Sequence, residues 1–154
     1  MVSGSPFAVV QRGAVGSGAD LKALPFGRIL RPLHGESEVR VEVESCAREG
    51  DAWRVRWRVF NSGLYELGLS SAWIPHGRFR GASGRTPLSV SLAAGASTTL
   101  SLLVRASEPP GTVVENAFLI LSSTRGRIFV RMRIEFRPDP VPIVEAITHQ
   151  PLQS

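Results

Sequence analysis

An all-β chain, folded as two antiparallel sheets packed face to face with about seven strands and an extended arm at each end, is what this sequence predicts. Long segments alternate strictly between apolar and polar residues, which is the signature of half-buried strands. Clusters of Gly, Pro, Ser and Asn break those segments at short, regular intervals over roughly 100 residues, the spacing of a two-sheet sandwich. A content of 15 glycines and 11 prolines in 154 residues supplies the turns that such a fold needs.

Residues 1–36 hold Pro6, Gly13, Gly16, Gly18, Pro25, Gly27 and Pro32 and no sustained helical period. They read as an N-terminal arm with one short strand at Phe7–Gln11 and a turn of helix near Ala19–Leu24. The sandwich is expected over residues 37–137. Its first strand puts Val39, Val41 and Val43 on one face and Arg40, Glu42 and Glu44 on the other. After the polar turn Arg48–Asp51, Trp53, Val55, Trp57 and Val59 point one way, and Arg54, Arg56 and Arg58 the other. Period two this regular indicates antiparallel strands with one solvated face. Further strand-like runs follow at Leu64–Ile74, Leu88–Leu92, Thr98–Arg105, Thr112–Ser122 and Arg127–Phe136. From residue 138 to 154 the chain carries Pro138, Pro140, Pro142 and Pro151, which no central strand tolerates, so an extended peripheral tail is expected there.

Composition narrows the function classes. Hydrophobic residues make up 43% and charged residues 20%, which excludes a disordered chain, a coiled coil and a transporter. No apolar run approaches the roughly 20 residues of a spanning helix, so no membrane insertion is expected. The net charge is +5, and Lys22 is the single lysine against 17 arginines. An arginine surface favours bidentate contact with carboxylate or phosphate. Cys46 is alone, so no intrachain disulfide forms. With no basic n-region and apolar h-region at the N-terminus, a cytoplasmic location is the expectation.

One stretch carries more than periodicity. Val59-Phe-Asn-Ser-Gly63 is followed by Leu67 and Leu69, then by Pro87–Val104 with the turn Leu92-Ala-Ala-Gly95-Ala-Ser97, then by Gly111-Thr-Val-Val and Ala117–Ser123. This pattern resembles the immunoglobulin-like domains of the ASPM/SPD-2/Hydin and major-sperm-protein type and the bacterial CARDB modules, over about residues 39–136. Ala94 stands where those families usually show proline, while Gly95 still supplies the positive φ of a tight turn. The resemblance implies an immunoglobulin-like sandwich and a non-catalytic docking, scaffold or surface role.

The candidate sites follow from the strand faces. A hairpin register that sets Val43 opposite Val55 and Val41 opposite Trp57 pairs Glu44 with Arg54 and Glu42 with Arg56. It leaves Arg40 against Arg58, a repulsive pair that would welcome an anion. In the last hairpin, Ile128, Val130, Met132, Ile134 and Phe136 define the buried face of the final strand, and Arg127, Phe129, Arg131, Arg133 and Glu135 the other. The strand before it is apolar on both faces. Phe118, Ile120, Phe129, Arg131 and Arg133 are therefore the candidate protein interface: an apolar patch rimmed by arginine. An arm folded over the patch is the competing expectation, and the two agree if the arm belongs to a neighbouring subunit. A last strand with a free edge also invites extension by another chain. Trp73, Arg78, Phe79 and Arg80, around Pro75-His-Gly77, form a loop that would offer aromatic and cationic contacts to a carbohydrate or nucleotide.

Catalytic signals are weak. His34, His76 and His149 have no Cys, His or carboxylate at ligand spacing, and no Gly-x-Ser-x-Gly elbow occurs. Gly13-Ala-Val-Gly-Ser-Gly18 matches neither dinucleotide nor P-loop spacing and reads as a flexible turn. The Glu42 and Glu44 pair lies on a solvated strand face among arginines. The expectation is a non-enzymatic module without metal or cofactor that docks on protein partners, or on itself, in a larger assembly such as a shell, filament or virion. An arginine-rich nucleic-acid-binding module and a carbohydrate-binding module are the alternatives.

Overall fold

The computed structural model describes residues 38–151. The expectations for residues 1–36, including the strand at Phe7–Gln11, the turn of helix at Ala19–Leu24, the glycine turn and His34, lie outside the described residues. Nine strands follow one another in the described part: β1 Val39–Glu49, β2 Ala52–Asn61, β3 Leu67–Trp73, β4 Arg80–Gly81, β5 Thr86–Leu92, β6 Ser97–Arg105, β7 Val113–Ser123, β8 Gly126–Phe136 and β9 Pro140–Gln150. They form a four-stranded sheet in the order β1-β2-β6-β4 and a five-stranded sheet in the order β5-β3-β7-β8-β9. Every pairing is antiparallel. The described residues form an all-β two-sheet sandwich.

The alternation read from the sequence builds its core. Trp53, Val55, Trp57 and Val59 of β2 and Leu100, Leu102 and Val104 of β6 face Val114, Ala117, Leu119 and Leu121 of β7 and Ile128, Val130, Met132, Ile134 and Phe136 of β8. Each buried Val, Leu, Ile, Met or Phe among them contributes about 1.5–3 kcal/mol relative to exposure. Gly95 takes a φ of +82° between β5 and β6, as the tight turn requires.

Three expectations are corrected. The β1–β2 register is two residues longer than expected, with Val41 opposite Val59 and Val43 opposite Trp57. A bulge then places Ser45 opposite Arg56, so Glu44 is the extra residue. The hairpin turns tightly at Gly50 and Asp51, between the paired Glu49 and Ala52, and a shorter turn moves the register. Arg40 consequently faces Phe60 and not Arg58.

The tail is the second correction. Residues 140–150 form β9 along β8, so the final strand of the expected sandwich has no free edge on that side. Pro140 and Pro142 fit because β9 is itself an outermost strand of its sheet, where a missing N–H faces away from the ladder. Third, the run expected from Leu64 begins as a strand only at Leu67, and Leu64 and Tyr65 are left 74% and 75% exposed in the preceding turn.

Candidate functional site

The two sheets present very different outer faces. On the four-stranded sheet the face is charged, and two of its arginines are paired with carboxylates. Arg58 meets Glu44 at 2.6 Å, Arg54 meets Glu49 at 2.8 Å, and the Thr99 hydroxyl donates to Glu44 at 3.0 Å. The Arg58 hydrogen bond, then that of Thr99, holds the Glu44 carboxyl below the usual carboxylate range, and Arg54 does the same for Glu49. Arg58, expected as an anion contact beside Arg40, is neutralised by this pairing. Arg40 rests over the Phe60 ring at 6.0 Å.

The five-stranded sheet differs. Trp73 on β3, Ile120 on β7 and Phe129 on β8 stand directly opposite one another, a row of three apolar side chains across three strands. Phe118, one step along β7 on the same face, meets Phe129 edge to face with centroids 6.3 Å apart and planes at 89°. That is the preferred geometry for two aromatic rings. Ile120 is 9% exposed in the middle of the group, while Trp73, Phe118 and Phe129 are half-buried. The cause is local: β7 reads Ala-Phe-Leu-Ile-Leu, apolar at every position, so whichever side faces the core, the other side is apolar too.

Arginines surround the row. Arg131 lies opposite Phe118 and approaches Glu145 at 4.0 Å. Arg133 meets Glu145 at 3.1 Å and Glu135 at 2.9 Å. A bulge gives β9 one extra residue between the partners of Arg131 and Met132, and that residue is Glu145. The Arg137 guanidinium, joined by Arg133, holds Glu135 below the usual carboxylate range. At the opposite end, Arg85 stacks on Trp73 at 3.8 Å from the ring centroid, and Arg127 approaches the same ring at 5.6 Å.

No family model, curated protein or solved structure matches this chain.

The structure brings Phe118, Ile120, Phe129, Arg131 and Arg133 together on one outer face, and adds Trp73 to them. It divides the other proposed constellation. Phe79 is fully buried in the core and cannot line a ligand surface, because the alternation of Arg78, Phe79 and Arg80 turns the ring inward. Arg78 and Arg80 sit instead beside a 230 Å³ cleft at β4 and β6, with Gly77, Arg105 and Glu108. There Arg78 is bound to Glu108 at 2.9 Å, which keeps Glu108 below the usual carboxylate range. Trp73 has no part in that cleft.

Sequence reasoning placed Arg127 on this face of the final strand without counting it among the interface residues, and it missed Arg85. Arg127 was visible as a neighbour of Phe129 in the alternating strand, whereas Arg85 precedes β5 and reaches Trp73 only through the β3–β5 pairing. Cys46 is half-buried against the core, and burial pushes its thiol up to about 11, which makes it a poor nucleophile. Among the described residues no group of three or more His, Cys, Asp or Glu side chains is placed to hold a metal ion.

Proposed function

We propose that this chain is a non-catalytic, immunoglobulin-like docking module that binds protein partners in a larger assembly through the outer face of its five-stranded sheet. The contrast between the two outer faces carries the reading. One is charged throughout, with Arg58 paired to Glu44 and Arg54 to Glu49, and the other is a continuous apolar row from Trp73 through Ile120 to Phe129 with an arginine rim. Half-buried aromatics with arginine at their border are the residue types that anchor protein interfaces. The strand order supports the immunoglobulin-like part: β1-β2-β6-β4 against β3-β7-β8 matches the two sheets of the seven-stranded immunoglobulin sandwich, to which β5 beside β3 and β9 beside β8 are additions.

A photo-crosslinking amino acid placed at Phe129, and at Thr99 on the other outer face, tests the reading in cells that make the protein. Protein adducts at position 129 and none at 99 are expected. Light scattering of the purified chain then separates self-association from a different partner. Equal yields at both positions, or adducts at 129 that nuclease removes, would overturn protein docking.

A further inference from the structure

We infer that the docking face recognises an acidic segment of its protein partner, with a carboxylate seated on Arg85 and Arg127 beside the Trp73 ring and an adjoining apolar side chain on Ile120 and Phe129. This rests on the docking reading above and names the chemistry of the partner.

The distribution of charge on the face points there. Arg131 and Arg133 share Glu145, and Arg133 and Arg137 share Glu135, so that end of the face is internally compensated. Arg85 and Arg127 are not. Among the described residues neither donates a hydrogen bond or meets a carboxylate, and both are exposed, with only the Trp73 ring to rest on. Two cations gathered at one aromatic ring repel each other, and an anion between them removes that repulsion. Stacking also restrains each guanidinium, so less side-chain freedom is lost when its N–H groups take up a carboxylate. A forked, paired arrangement of such donors is what a carboxylate accepts well.

Two other occupants fit less well. A second copy docked through the same patch in a two-fold dimer brings the same uncompensated arginines toward each other. A nucleic acid strand needs flat rings on which bases stack in succession, whereas Phe118 and Phe129 stand at 89° to one another. It also brings phosphates along a face that carries Glu135 and Glu145.

A random peptide library displayed on phage, panned on the immobilised full chain and counter-selected on the Arg85→Gln/Arg127→Gln double variant, tests the inference. Both positions are exposed, so the double variant is expected to keep the wild-type melting temperature, and that is checked first. Enriched peptides are expected to carry Asp or Glu next to an aromatic or aliphatic residue. A synthetic copy of the best one should bind the wild-type chain at least about tenfold more tightly than it binds the double variant, and lose a similar factor when its acid is changed to the amide. Phe129→Asp should abolish its binding. Enriched peptides without acids, equal binding to the double variant, no enrichment, or displacement of the peptide by oligothymidylate at lower concentration would each overturn the carboxylate inference. If crosslinking at position 129 succeeds while the peptides prove neutral, the docking face stands and only its acidic partner is lost.

Discussion

The Asn61 amide is fully buried and every contact it makes ties two segments together. Its Nδ2 donates to the carbonyl of Tyr65 at 2.8 Å and to that of Leu92 at 2.9 Å, and its Oδ1 accepts from the Gly63 amide at 3.0 Å. The end of β2, the following turn and the end of β5 are thus held by one side chain. Asn61→Ala leaves buried carbonyls and an amide without partners and is expected to cost about 2–3 kcal/mol. Asn61→Asp should cost more, since a carboxylate has no protons for the two carbonyls and carries a charge into the core. Urea unfolding midpoints at neutral pH measure both, with Ser62→Ala as a surface comparison. An Asp variant as stable as the wild type would show that these bonds do not hold the corner. The Asn-Ser-Gly sequence was legible as a motif, yet its partners were not, because Leu92 is 31 residues away and enters only through the fold. Phe79 is the opposite case. Its burial was legible in the alternation of Arg78, Phe79 and Arg80, and the exposed look of its neighbours hid it.

Strand pairing is where sequence reading lost most. The faces of β1, β2, β7 and β8 follow directly from alternation, but register depends on turn length and bulges, and Glu44 and Glu145 are bulge residues that no alternation marks. A similar local constraint joins β3 to the β7–β8 turn. Gly68 donates its N–H to the Thr124 hydroxyl at 3.1 Å and accepts the Thr124 N–H at 2.9 Å. A Cβ added at Gly68 would stand 2.8 Å from Thr124 Cγ2, too close for the turn to remain where it is. Gly68→Ala is therefore expected to cost about 1–2 kcal/mol. Thr124→Ser removes the obstructing methyl and keeps the hydroxyl, so the double variant should regain most of the loss. Thermal melts of the four proteins in a double-mutant cycle give the coupling. Simple additivity would mean that the strand, not the turn, yields to the new methyl.

At the scale of the whole sandwich, β9 completes one edge of the five-stranded sheet and the arginine-rimmed end of its outer face. It was expected as a peripheral tail because four prolines follow Arg137, but edge position makes Pro140 and Pro142 compatible with pairing. Val144 and Ile147 pack against the core, Pro140 and Pro142 are buried, and Glu145 supplies the carboxylate that compensates Arg131 and Arg133. The strand also lies against β1, so it joins the two sheets along one side of the sandwich. Ending the chain after Arg137 would strip these side chains and leave the whole length of β8 with unpaired backbone groups. Half-burial of Val144 and Ile147 alone contributes about 2 kcal/mol, so the truncated protein should unfold at clearly lower urea. Its bare β8 edge, eleven residues long, should pair with other copies, which light scattering would report as association that Phe129→Asp does not reverse. That insensitivity separates edge pairing from the proposed docking through the outer face, which the same substitution is expected to weaken. A truncated chain that stays monomeric and unfolds at the wild-type midpoint would show that β9 adds nothing to the stability of the sandwich.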